Sequence, residues 1–344
     1  MRNLINWIQR HQVAAFFIVT FLITWGLGFS YSAVMRQGKD LLVPLASVAT
    51  CGPALAGIIV STVCNTEPKS GTSRAPRIAF VAALVLVTVV FLANNTVINH
   101  APLSPVMVGF TLVAVTPPVA YVISATYSRV PAVRRYLASL VNRRGAIGWS
   151  LLALVLVPGL GLLSIVISGW LGRQPTAPTS LPAAGLSLVG MIAIKFLYQF
   201  FFFNCIGEEV GWRGFALPRL QARINPLIAS LVMTLFWAIW HLFLWYGEGQ
   251  PIFTIQYWID TFVKLIPPSV IFGWFYNRSK ASILVAGIVH AGANTAFAFL
   301  PNLDWPVYTL TLYAAILVII IIDRMWQKLP ADHPAVVQSL ELDI

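Results

Sequence analysis

Long apolar runs broken by short polar joints dominate the chain. An apolar helix crosses a hydrocarbon core of about 30 Å in roughly 20 residues. Runs of that length have cores near 13–33, 44–64, 78–97, 106–126, 148–171, 186–207, 227–246, 258–276, 282–300 and 306–323. They predict an all-α fold, a polytopic integral membrane helix bundle of about 8–10 transmembrane helices. Pro117-Pro118 and Pro267-Pro268 fall inside two of the runs. Neighbouring helices re-satisfy the backbone groups that such prolines free, so both pairs are read as kinks. The first run follows Arg2 and Arg10, as the apolar core of a secretory signal would. It is longer than the roughly 7–15 residues of such a core and no clear small-residue cleavage site follows, so it is read as a span.

The stretch from Arg173 to Pro182 holds three prolines among small polar residues and makes the most natural boundary. It divides a leading bundle, 1–184, from a core, 185–300, followed by a final transmembrane helix and tail, 301–344. The basic stretch from Ser128 to Gly148 is short enough to be an interfacial helix.

Composition narrows the solvent. The chain is 58% hydrophobic and only 10% charged, whereas a soluble surface carries roughly 25–35% charged residues. Lipid is the matching environment. The net charge of +11 raises nucleic acid as a partner, but the basic residues sit in the breaks between apolar runs rather than along one face, so no nucleic acid is expected. With the amino terminus inside, 17 of the 22 Lys and Arg fall in inside segments, three (Arg36, Lys39, Arg173) fall outside, and Lys195 and Lys264 lie within apolar runs. Both termini then face the cytoplasm. Cys51, Cys64 and Cys205 lie in or beside apolar runs without CxxC spacing and are read as packing residues.

Ionisable groups inside spans cost at least about 2.5–3.5 kcal/mol each near the bilayer centre, so the survivors are candidates for function. Away from the chain end, the acidic ones are Glu208, Glu209 and Asp260, and the histidines are His241 and His290. Asp260, Lys195 and Lys264 are expected to snorkel toward the interfaces. Glu208-Glu209 followed by Arg213 is expected by chance roughly 0.003 times in a chain of this make-up. On a helix Glu209 and Arg213 are i and i+4 and can pair, leaving Glu208 about 100° away and free. Trp237 with His241, and His290 with Asn294, share faces by the same spacing. Glu208 lies 16 residues before Ile224 and His241 17 residues after it, so on antiparallel helices the two reach one level. The bland alternatives are an ion-paired helix end for the carboxylates and Arg213, and an aromatic belt around His241.

A carboxylate beside a histidine can take a proton from water, and a second histidine with an amide can stabilise the resulting oxyanion. Glu208, His241 and His290 can equally hold a zinc ion with one position open for water, although HExxH is absent. Over about residues 185–300 these motifs resemble those of the CPBP family of intramembrane proteases, also called the CAAX protease and bacteriocin-processing, or Abi, family. Glu208-Glu209 with Arg213 matches its Glu-Glu-xxx-Arg, Trp237 with His241 its aromatic-xxx-His, and His290 with Asn294 its His-xxx-Asn. Trp237 stands where the family more often has Phe, a difference in packing more than chemistry.

The resemblance implies an intramembrane endopeptidase in a bacterial cell membrane, with the lipid bilayer and a membrane-associated protein or peptide substrate as partners. Glu208 would activate water with His241, His290 and Asn294 would form the oxyanion site, and Glu209, Arg213 and Trp237 would support them. The cofactor it implies is either none or a divalent metal such as zinc. Other function classes are a non-proteolytic self-immunity or scaffold protein, a transporter and a bis-histidine haem protein. The lack of internal repeats counts against the transporter.

Overall fold

Helix starts are written locally in the sequence. Ser104, Ser187, Asn225, Thr254, Ser282 and Asp304 each accept a hydrogen bond from the backbone N–H three residues on, which satisfies a group the first helical turn leaves unpaired. Asp304 also accepts from Arg173 at 2.5 Å, and that bond holds its carboxyl below the usual Asp range. Its stabilising contribution is therefore present at neutral pH and is lost as pH falls through the lowered value.

The protein is described here from a computed structural model covering residues 2–36, 48–70, 74–141, 146–173, 187–301 and 303–337. The helices are α1 (Arg2–Arg10), α2 (Gln12–Met35), α3 (Gly52–Val63), α4 (Ala75–Ile98), α5 (Pro105–Tyr127), α6 (Pro131–Val141), α7 (Ala146–Trp170), α8 (Leu188–Gln221), α9 (Pro226–Gly247), α10 (Ile255–Arg278), α11 (Ile283–Phe299) and α12 (Trp305–Ile322). No strand occurs among the described residues. The chain is a polytopic, all-α membrane bundle.

Each of the ten apolar runs falls on one of these helices. Seven, α2, α4, α5, α7, α8, α9 and α12, are long and apolar enough to cross a membrane. The other three depart from the simple picture for physical reasons. The second run is described from residue 48, and the helix α3 within it has 12 residues; residues 44–47 lie outside the described residues. The helix α11 has 17 residues and is wrapped by α6, α7, α8 and α10. Being enclosed by protein, it has less need of bilayer length. The helix α10 carries Asp260, Lys264 and Arg278 along with Pro267 and Pro268. The expected boundary at 184 and the end of the tail also lie outside the described residues. The stretch expected to be an interfacial helix holds α6, which buries Tyr136, Leu137 and Leu140.

Two departures from regular α geometry contain the polar residues Glu208, Glu209 and Arg213. Phe200–Glu209 and Trp212–Ala216 are wound as π-helix within α8, with i→i+5 hydrogen bonding. Around them the leading helices are stitched to the later ones. Tyr136 donates to the carbonyl of Val210 at 2.8 Å, Thr50 to that of Phe202 at 2.7 Å, and Trp240 to Thr24 Oγ1 at 2.9 Å. Close approach there needs glycine. A Cβ on Gly211 would lie 2.4 Å from the backbone carbonyl carbon of Pro53, an atom that cannot swing away. Gly211→Ala is therefore expected to destabilise by about 1–3 kcal/mol, the usual cost of overpacking. Gly159→Ala in α7, with open space around it, should cost nothing. Thermal melts of the two variants in detergent make the comparison, and equal melting temperatures would count against the tight crossing.

Candidate active site

The site forms where α8, α9, α10 and α11 meet. Arg213 Nη1 donates to Glu209 Oε1 at 2.8 Å, with both side chains at most 1% exposed. The i, i+4 pairing expected of an α-helix is thus made although the local winding is π. The same Glu209 oxygen takes a hydrogen bond from His290 Nδ1 at 2.9 Å, joining α8 to α11. Arg213 is braced further by Ser269 of α10, whose carbonyl and Oγ both lie 3.4 Å from Nη2. Arg213, grouped by sequence with the inside loops, therefore lies in the packed interior.

Glu208 is held differently. Its Oε2 accepts from the indole Nε1 of Trp237 at 2.7 Å. Among the described residues its other oxygen has no protein donor. Trp237 is thus more than packing, because its indole N–H orients the adjacent carboxylate, a bond that phenylalanine cannot make.

His241 sits where α9 tightens. Its Nδ1 is 2.7 Å from the Trp237 carbonyl. A carbonyl only accepts, so Nδ1 carries the hydrogen, and the lone pair of the neutral ring is on Nε2. Trp245 stacks on the ring at 5.0 Å between centroids. His290 is similarly fixed between Phe272, stacked at 4.6 Å, and Trp237, edge-on at 5.4 Å.

Glu208, Trp237, His241, His290 and Asn294 all line one cavity of about 480 Å³. Glu209 and Arg213 stand behind it, reaching it through His290. No direct hydrogen bond joins Glu208 to His241 among the described residues, so any cooperation between them passes through a molecule in the cavity. Sequence reasoning missed Ser269 and Phe272. The Pro267-Pro268 pair was the available signal, since it lies in α10 beside the site, with Pro268 in the cavity wall. It also missed Lys264, which lines the cavity with its ammonium 5.7 Å from the Trp305 ring. Asp260 accepts from Gln256 at 2.8 Å, and Lys195 lies over Tyr198 at 5.6 Å.

A protein zinc site gathers at least three donors within about 2.0–2.3 Å of one point. Among the described residues no three His, Cys, Asp or Glu side chains gather to hold an ion. Glu208, His241 and His290 share the cavity wall without converging as a ligand set.

Residues 190–296 match the family model of the type II CAAX prenyl endopeptidase Rce1-like proteins. Over 109 residues the chain is 32% identical to the CAAX prenyl protease 2 of Methanococcus maripaludis. That similarity spans 30% of this chain and 37% of the relative's length. All three sequence motifs fall within the matched residues 190–296.

Proposed function

We propose that the chain is an intramembrane endopeptidase that hydrolyses a peptide bond of a membrane-associated protein or peptide, substrates of the CAAX type included. The observation that carries this reading is the cavity wall shared by Glu208, His241, His290 and Asn294. A water between Glu208 and His241 attacks the scissile carbonyl carbon and gives one proton to the Glu208 carboxylate, while Nε2 of His241 accepts a hydrogen bond from the same water. The carbonyl oxygen becomes an oxyanion, met by the Asn294 amide and by Nε2 of His290 in its imidazolium form, whose charge Glu209 balances. The carbon–nitrogen bond then breaks and the leaving nitrogen takes the proton from Glu208, giving a carboxylic acid and an amine; the acid passes water's second proton to the amine, so that a carboxylate and an ammonium group remain. Holding His290 on Glu209 and Glu208 on Trp237 fixes these groups before substrate arrives, which is where such sites gain most of their advantage.

The test uses the purified protein in liposomes with membrane-anchored peptides, prenylated and unprenylated, and mass spectrometry of the products. Cleavage should continue in the presence of a chelator, and His241→Ala should slow it by about 10²-fold or more. Activity abolished by the chelator and restored by zinc would overturn the metal-free mechanism. Undiminished cleavage by His241→Ala would remove that residue from it.

A further inference from the structure

Contacts between loops define the two ends of the bundle. At one end Arg219 donates to Gln12 at 3.0 Å, the backbone N–H of Ser70 to Arg129 at 2.9 Å and that of Leu227 to Met325 at 3.0 Å, and Arg278 Nε to Asp323 at 2.6 Å. Most of the chain's arginine and lysine lies in these loops. At the other end Arg36 lies over Tyr246 at 4.6 Å, Arg173 pairs with Asp304, and Trp245 meets Tyr257 at 5.6 Å. Because basic loops stay in the cytoplasm, the first end is the cytoplasmic one.

The cavity belongs to the second end. From Glu208 and Phe272 its wall runs outward to Glu248, Gln250, Tyr257 and Trp305, and Glu248 and Gln250 are exposed. Toward the basic end it is closed by Arg213, Leu217, Phe275 and Tyr276, each at most 1% exposed. A separate cavity at the basic end, between the segments 9–17 and 219–223, shares no lining residue with it. We propose that the catalytic cavity opens on the non-cytoplasmic face, so that its substrate is a membrane-anchored polypeptide presenting the scissile bond from that side.

The substrate class rests on the endopeptidase reading, whereas the sidedness rests on loop charge and cavity shape alone. About 10 Å of helix separates His241 from Glu248 at 1.5 Å per residue. An extended peptide of three or four residues spans that distance. A short segment next to a membrane anchor can therefore reach the site without unfolding a domain.

The experiment labels single cysteines with a membrane-impermeant maleimide, in intact cells and after permeabilisation. Cys51 and Cys205 are fully buried, so Cys64→Ser supplies the background. Gln250→Cys at the cavity mouth should label equally before and after permeabilisation, with Phe253→Cys, 90% exposed on the same loop, as the second reporter. Gln327→Cys, beside Lys328, should label only after permeabilisation. The reverse pattern would overturn the proposal, and no turnover is needed to see it. In liposomes, substrates displaying the scissile segment on the Gln250 side should be cleaved and those displaying it on the Gln327 side spared. Cleavage of neither, with the labelling as expected, would count against the endopeptidase reading and leave the sidedness standing.

Discussion

Replacing Glu208 with glutamine is expected to slow peptide-bond hydrolysis by about 10²–10⁴-fold, the range contributed by a positioned general base. The choice of glutamine matters. Its amide oxygen can still accept the Trp237 indole N–H that Glu208 Oε2 now accepts at 2.7 Å, so the side chain should stay in place while losing its ability to take a proton. Melting temperature and substrate affinity should therefore change little, and single-turnover cleavage should collapse. Glu208→Asp tests position instead of chemistry, because it keeps the charge and draws it back by one methylene. A glutamine variant that cleaves at the wild-type rate would remove Glu208 from the mechanism, whatever its place in the cavity.

Arg213→Met is expected to be the most destabilising single change in the site. Glu209 and Arg213 are essentially inaccessible, and removing one partner of a buried pair costs about 3–5 kcal/mol, because the other charge is left without compensation. One oxygen of Glu209 is already without a partner, and His290 alone would remain on the other. Adding Glu209→Gln should recover much of the stability, since a neutral amide oxygen still accepts from His290 Nδ1. It should not recover cleavage, because the imidazolium of His290 would lose its balancing charge. Thermal melts and rates for the two single variants and the double variant make the cycle. An Arg213→Met protein that melts like the wild type would show that the pair carries no structural load.

Much of this architecture was legible in the chain because lipid is a demanding solvent. Apolar runs of about 20 residues are conspicuous, and each of the ten falls on a helix, although α3, α10 and α11 are shorter or more polar than an independent span. The polar residues were legible for the complementary reason, since a carboxylate or imidazole inside such a run stands out. The i, i+4 pair of Glu209 with Arg213 could be read locally. The contact of Glu209 with His290 could not, because 81 residues separate them and no local pattern encodes the meeting of α8 with α11. Nor could the π winding be seen. Phe200 to Phe203 are four consecutive phenylalanines, and a stretch apolar on every side carries no periodicity from which to count residues per turn. The bonds from Thr24, Thr50 and Tyr136 were invisible for a related reason. Each is a single hydroxyl in an apolar run, where it reads as a tolerated neighbour.

The π turns of α8 also give helix length a meaning that residue count alone conceals. A π turn is an α-helix holding one residue more than ordinary winding accepts. Loss of one residue between 200 and 206 would let the turn relax to ordinary α winding with its two flanks still in phase, whereas the same loss from an α-wound stretch would rotate everything upstream by roughly 100°. A one-residue gap in this stretch is therefore absorbed by the winding instead of being passed on as a rotation. A relative one residue shorter here could keep both its aromatic flank and its acidic pair aimed as they are, with plain α winding between them.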